Sequence, residues 1–389
     1  MSPDSSMARA VELQVSDFPA RVDGIAPALA AAAERIEQER RLPPDVLAVL
    51  HGANMFRLLA PKSIGGEELD PATYFRTMIA LGAVEGSAAW CVGQGNGCAM
   101  AAAYVDPAVA KDIWGRPDGV VAWGPGKGEA AVVDGGYRVS GGWQFCSGSR
   151  HASFLGGLIN MPDAVRGKAA RTMLIPVGQT TQKDVWDTIG LRGTGTDAFE
   201  VADVFVPKAY SVVRDDPVDR RESGPLYKFA SGALYGVGFS GIALGMATAL
   251  LEDFKVLAGV KTPRRSRNVI RESQVVQNDV AIAHARLGAA KSFVLSELAE
   301  IWPEAQQGEL SMDSRMRIRL ATTYAIFEAK AAGDAAYDGA GATAVFKRSV
   351  FERRFRDLRT LTQQGQGRKS HFSAVGSYLL GLEPDTTAL

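Results

Sequence analysis

The amino-acid sequence predicts an α+β multidomain chain with its β structure confined to the middle. An N-terminal helical domain (residues 1–113) precedes a central β-sandwich or barrel domain (114–215) and a C-terminal four-helix bundle domain (216–389). Three observations predict this order. Ala- and Glu-rich helical runs fill the first third. Short alternating runs with turn signals fill the middle. Apolar residues recurring every seven positions mark the last third. A chain of 389 residues has room for two or three such domains.

The first helix is expected over Val22 to Arg41. Pro43-Pro44 opens a second, Asp45 to Ala53, because proline suits a first helical turn. Ile64-Gly65-Gly66 is a loop, and Asp70-Pro71 starts a helix reaching about Glu85. Ser87 to Tyr104 follows within an uncharged, Ala- and Gly-rich stretch and is expected to be buried. The character changes near Trp114. Ala131 to Val139 forms two β runs around Asp134-Gly135-Gly136, a hairpin signal. Phe154 to Ile159, Thr172 to Val177 and Phe199 to Val206 are further strands, the last ended by Pro207. In the final third, Val280, Leu287, Val294 and Ile301 lie on one face of a long helix, beside Val276, Ala283 and Ala290. Ser314 to Ala336 and Arg348 to Leu361 are the next helices.

Composition excludes several function classes. Lys and Arg total 43, Asp and Glu 43, so the net charge is zero. That argues against a chain that binds nucleic acid or an anionic membrane over its whole surface. Three cysteines (Cys91, Cys98, Cys146) without a Cys-x-x-Cys pattern read as small apolar residues in a reducing, cytoplasmic compartment. Four well-separated histidines (His51, His151, His284, His371) give no metal-ligand spacing and no Ser-His-Asp signature. Met1 to Arg9 lacks the basic and apolar regions of a signal peptide. Phe229 to Leu251 carries no charge over 23 residues, long enough to cross a bilayer, but holds five glycines and is expected to be a turn leading into a buried helix.

Gly236-Val237-Gly238-Phe239-Ser240-Gly241 matches the dinucleotide fingerprint G-x-G-x-x-G. That fingerprint works only between a strand and a helix. No β-branched run precedes it and no βαβ alternation surrounds it, so helix packing through small residues is the expected role.

Several segments in order carry a family resemblance. Trp143-Gln144-Phe145-Cys146-Ser147-Gly148-Ser149-Arg150-His151-Ala152 resembles the flavin-contacting strand of the acyl-CoA dehydrogenase superfamily. Trp186, Gly190-Leu191-Arg192-Gly193-Thr194-Gly195-Thr196 and Asp203 to Pro207 resemble its second β-domain signature. Gln274-Val275-Val276-Gln277 resembles the Q-x-x-Q at the head of its long helix, and Phe351 to Asp357 its Arg-Asp segment. The resemblance implies a flavin with Trp123, Phe145 or Trp186 as aromatic wall and Ser147 and Gly148 as donors. It implies Gln364 and Gly365 against the cofactor. Arg264, with Ser266 and Gln274 near it, stands where relatives reach a partner subunit's flavin, in a homotetramer. Arg265 and Arg267 are further candidate cations, and a solvated basic cluster is the alternative for all three arginines.

The superfamily's dehydrogenases need a carboxylate base at one of two places. No Asp or Glu lies between Asp357 and Glu383, nor between Glu222 and Glu252. A neutral amide does not remove an α-proton at a useful rate. The resemblance therefore points to the superfamily's two-component (group D) flavin monooxygenases. These take reduced FMN or FAD from a separate flavin reductase, form a C4a-hydroperoxide with O2 and oxygenate a small aromatic or heteroaromatic substrate in a water-poor pocket. Ser147 matches a serine near flavin N5, and Trp90 an aromatic residue on the substrate side. Trp90, Asn96 and Trp123 are candidate substrate contacts. Relatives carry a catalytic histidine where Gln364 stands. His371, seven residues later, either faces the same cavity as the base or is a partly buried helix residue. Ser147, His371 and Gln364 are thus the candidate catalytic residues. The alternatives are a dehydrogenase-like enzyme with a displaced base, an N-oxygenase of an amine or amino sugar, and a non-catalytic flavoprotein subunit.

Overall fold

The computed structural model describes residues 17–163 and 167–385; the reading of Met1 to Arg9 lies outside them. Helix α1 (Asp17–Glu39) precedes α2 (Pro44–Gly52), which starts on Pro44 at its first turn as the Pro-Pro pair dictates. Helix α3 (Pro71–Val84) is capped by Asp70, whose side chain accepts from the amides of Ala72 and Thr73 at 3.0 Å each. Glu85 ends α3 and caps α4 (Gly86–Ala99), accepting from Ala88 N at 2.6 Å. The predicted single helix through Tyr104 ends earlier, continuing as a 3-10 turn over Met100–Tyr104 before α5 (Pro107–Trp114).

The middle segment folds into strands β1 (Val121–Trp123), β2 (Gly126–Val133), β3 (Gly136–Cys146), β4 (Phe154–Asp163), β5 (Gly167–Pro176), β6 (Thr181–Lys183), β7 (Asp197–Pro207) and β8 (Ser211–Val213). Among the described residues they make two four-stranded sheets, ordered β1-β4-β5-β8 and β2-β3-β7-β6. The predicted β2–β3 hairpin pairs Val133 with Gly136 across the turn. Trp143, Phe199, Val139 and Cys146 from one sheet pack with Leu155, Ile159, Met173 and Ile175 from the other. The three shortest strands have no pattern of their own; they form only where longer neighbours offer an edge.

The last third contains α6 (Ser231–Val260), α7 (Gln274–Gln307), α8 (Met312–Ala340), α9 (Val350–Leu361) and α10 (Ser370–Leu379). The uncharged stretch is α6, which is long and apolar enough to cross a membrane but lies mostly buried inside the protein. The G-x-G-x-x-G run is internal to α6, with no strand ahead of it. Its glycines permit close helix contact: a Cβ at Gly241 would meet Phe75 O at 2.9 Å, and one at Gly245 would overlap Ile79 O. Along α7, Ala283, Leu287, Ala290, Val294 and Ile301 are buried as the seven-residue spacing predicts, whereas Val276 and Val280 are half-buried near its exposed start.

Candidate active site

A cavity of about 800 Å³ opens where the β-sandwich, α4, α6 and the segment after α9 meet. Its lining brings together Trp90, Trp123, Phe145, Ser147, Trp186 and Gln364, with Gly365 and His371 beside them.

Ser147 follows directly on the last residue of β3. One residue earlier the β3–β7 register slips, between Trp143 and Cys146, and Phe145 adopts φ 57°. Such a bulge re-aims side chains, and here it turns Phe145 out of the sandwich toward the cavity, edge-on to Trp186 at 6.4 Å between centroids. The Ser147 hydroxyl is buried and accepts two hydrogen bonds. Trp90 Nε1 donates at 2.9 Å and Thr196 Oγ1 at 2.8 Å. An indole N–H only donates. The Ser147 proton is therefore left for a group in the cavity.

The loop carrying Thr194 and Thr196 is fixed from the bundle. Leu191, at φ 51°, receives a buried carboxylate: its amide donates to Asp357 Oδ1 at 2.6 Å. Leu191 O accepts from Trp186 Nε1 at 2.9 Å and from Thr194 Oγ1 at 2.8 Å. Burial, and next the charge of Glu85, raise the Asp357 pKa to about 7.

Opposite Ser147, three rings of α4 and α6 form a ladder. Trp90 stacks on Phe239 at 4.2 Å and Phe239 on Tyr235 at 5.6 Å. Gln94 Nε2 donates to Trp123 O at 3.3 Å and Tyr235 OH at 3.4 Å. The pairs Trp90/Gln94 and Tyr235/Phe239 are each four apart on a helix and share a face. That spacing was the available signal for Gln94, Tyr235 and Phe239, which sequence reasoning missed.

His371 is buried, lines the cavity and lies 3.1 Å by Nδ1 from Thr323 Oγ1. Burial first, and Arg319 second, lower its pKa to about 4, so the imidazole is neutral at ordinary pH. Gln364 accepts from Gln366 N at 2.6 Å through Oε1, while its Nε2 is buried with no partner among the described residues. A buried orphan donor facing a cavity calls for an acceptor there. With the aromatic walls and the Ser147 donor, it fits the edge of a flavin ring.

Other candidates lie elsewhere. Asn96 is fully buried but does not line the cavity: its amide donates to Met55 O and Val92 O, and its Oδ1 accepts from Leu59 N. Its polar group in an apolar helix reflects a structural bridge to a neighbouring loop rather than a substrate contact. Gly148 is also absent from the lining; at φ 82° its amide donates to Thr194 O at 2.8 Å and is not available to a ligand. Arg264, Ser266 and Gln274 are exposed and apart from this chain's own cavity.

One carboxylate, Asp215, does line the cavity among the described residues. It arrives from beyond β8, so a search along α6 alone does not find it. Its two oxygens accept from Ser231 N at 2.9 Å and Ser231 Oγ at 2.6 Å, closing the start of α6.

Comparison with known proteins agrees with this architecture. Residues 237–365 match the family described as acyl-CoA dehydrogenase, C-terminal domain. Indole-3-acetate monooxygenase of Pseudomonas putida is 27% identical, with 94% of each chain covered. The flavin-dependent monooxygenase oxygenase subunit HsaA of Mycobacterium tuberculosis is 28% identical over 95% of this chain and 96% of its own. The crystal structure of 3-HSA hydroxylase from Rhodococcus sp. RHA1 superposes with a TM-score of 0.86 at 26% identity, covering 95% of this chain and 98% of that one. Residues 237–365 thus carry the C-terminal domain of the acyl-CoA dehydrogenase family. The relatives it resembles over nearly their whole length are flavin-dependent monooxygenases.

Proposed function

We propose that the chain is the oxygenase component of a two-component flavin-dependent monooxygenase acting on a small aromatic or heteroaromatic substrate. It uses reduced FMN or FAD delivered by a separate reductase. The observation that carries this reading is the Ser147 hydroxyl, which accepts from Trp90 and Thr196 and so offers its proton to the cavity. Bound reduced flavin supplies two electrons to dioxygen, one oxygen atom entering the substrate and the other leaving as water.

The chain's own residues supply position, dryness and protons. Trp123, Phe145 and Trp186 are the walls for the flavin, and Gln364 Nε2 the donor to its edge. Gly365 lies beside it. Trp90 and Phe239 exclude water from the reacting face, which protects a reactive oxygen species from wasteful collapse. Ser147 holds a proton at Oγ. His371, neutral and buried, is the candidate acceptor for the proton of a phenol, whereas an indole needs no such base. Arg264, Ser266 and Gln274 complete a partner's cofactor site in a homotetramer; their exposure, beside the exposed Val275, supports this. We further read residues 1–113, 114–215 and 216–389 as three domains and the protein as cytoplasmic, in keeping with three buried free cysteines.

Anaerobic titration tests the reading. Reduced flavin is expected to bind more tightly than oxidised flavin, and substrate oxygenation to require a reductase and NADH. Tight retention of oxidised FAD together with oxidation of an acyl-CoA by an electron acceptor would overturn it. Asp215 gives that second reading its one structural footing, as a displaced base. Asp215→Asn separates the two: it keeps the shape that closes α6, so oxygenation stays within several-fold of the parent. Under the dehydrogenase reading the same substitution abolishes acyl-CoA oxidation.

A further inference from the structure

We propose that Arg214 makes the cavity selective for aromatic substrates that carry a carboxylate side chain. The inference rests on reading the cavity as a substrate site. Arg214 lines it just after β8. Its guanidinium carbon lies 4.3 Å from the Trp123 ring centroid, and its Nε donates to the buried Thr172 Oγ1 at 3.1 Å. These two contacts fix the plane of the guanidinium while leaving both terminal amino groups without a hydrogen-bond partner among the described residues.

The neighbouring carboxylate does not neutralise it. Asp215 is turned to Ser231 by both oxygens, and no ion pair with Arg214 occurs among the described residues. The charge instead faces the polar end of the ring ladder. Burial raises the Cys98 thiol to about 12 and the Tyr235 hydroxyl well up, and Arg214 opposes the rise in both.

The ladder has two ends. Trp90, at one, holds Ser147 through its indole N–H. Tyr235, at the other, is the rung whose hydroxyl feels Arg214. A flat ring lying along Phe239 has its reacting edge toward Ser147 and its far substituent toward Arg214. A planar fork with two free amino groups, stacked on an indole, suits bidentate capture of a carboxylate.

The test uses matched probes on the full-length protein. Calorimetric and tryptophan-fluorescence titrations compare indole-3-acetate with indole-3-acetamide, and phenylacetate with phenylacetamide. Each amide keeps the shape and removes the charge. The parent is expected to bind the acids roughly tenfold to a hundredfold more tightly than the amides, the range of a charge-assisted hydrogen bond. Arg214→Gln is expected to erase that preference by weakening the acids, and Arg214→Lys to retain part of it. Equal binding of acid and amide by the parent, binding of neither acid, or an Arg214→Gln variant that weakens acid and amide alike overturns the proposal. If the glutamine variant does not fold, the parent's acid-to-amide ratio and the lysine variant decide. Product formation with reduced flavin and dioxygen is scored separately. Charge-selective binding without oxygenation sinks the monooxygenase reading and not this one, and oxygenation without charge selectivity does the reverse.

Discussion

Ser147 illustrates how a single side chain acquires direction. A lone hydroxyl rotates freely, but two donors arriving at its oxygen leave its hydrogen one sector to occupy. Ser147→Ala removes that hydrogen and also orphans Trp90 Nε1, while Thr196 Oγ1 keeps its 2.6 Å contact with Thr194 Oγ1. Product formed per NADH consumed is expected to fall at least tenfold, with hydrogen peroxide rising in its place. The folded state is expected to lose ~1–3 kcal/mol for the unpaired buried indole N–H. Coupled turnover equal to the parent's contradicts the assigned role. Ser147, Trp90 and Gln364 sit inside motifs, so the sequence singles them out, and the fold brings all three to the cavity wall. Asn96 misled for a physical reason: a buried amide needs partners, and the sequence does not say whether these are ligand or backbone. Arg214 and Asp215 left no sequence signal, since only the fold carries the end of β8 to the start of α6.

Elements meet here through missing side chains. Helix α6 runs against α3 with Gly241 and Gly245 facing Phe75 O and Ile79 O. The backbones approach so closely that a methyl group has nowhere to go. Gly245→Ala adds helix propensity but forces α3 and α6 apart, and overpacking prevails at ~1–3 kcal/mol of destabilisation. Chemical denaturation measures this. A stabilised variant would show that the contact yields. Because α6 carries Tyr235 and Phe239 and α4 follows α3 directly, the same substitution is expected to loosen the ring ladder. Helix positions were readable from heptad spacing and caps. The strand pattern revealed the long strands, but not the bulge that turns Phe145 outward, because one extra residue in β3 changes no local propensity.

At the scale of the whole molecule, buried ionisable groups tie the site to folding. Burial lowers His371 to about 4 and His151 to about 3, so the unfolded chain binds more protons below pH 6.5. Their contribution is present above that pH and is lost as pH falls. Asp357 has the opposite sign. With its pKa raised to about 7 from 3.8, the folded chain binds the extra proton between those values, and stability is lost as pH rises through 7. Asp357→Asn keeps an acceptor for Leu191 N and removes the titration. Its stability relative to the parent is expected to improve from pH 5 to pH 8, by at most ~1.4 kcal/mol per pH unit. A gap independent of pH contradicts the assignment. The three-part order of helices, sheets and helices was legible because periodicity is local. The cavity was not, since it is enclosed by segments that lie far apart along the chain.

Isotope transfer decides whether the cavity passes an oxygen atom from dioxygen to an aromatic ring. The protein, loaded anaerobically with reduced flavin and an aromatic acid, is mixed with buffer containing 18O2 and the product analysed by mass spectrometry. One 18O atom is expected in the ring product, with a yield that falls in the Ser147→Ala variant, and the second 18O in water. An unlabelled substrate with all the 18O recovered as hydrogen peroxide, or a product oxygen drawn from water, contradicts this transfer.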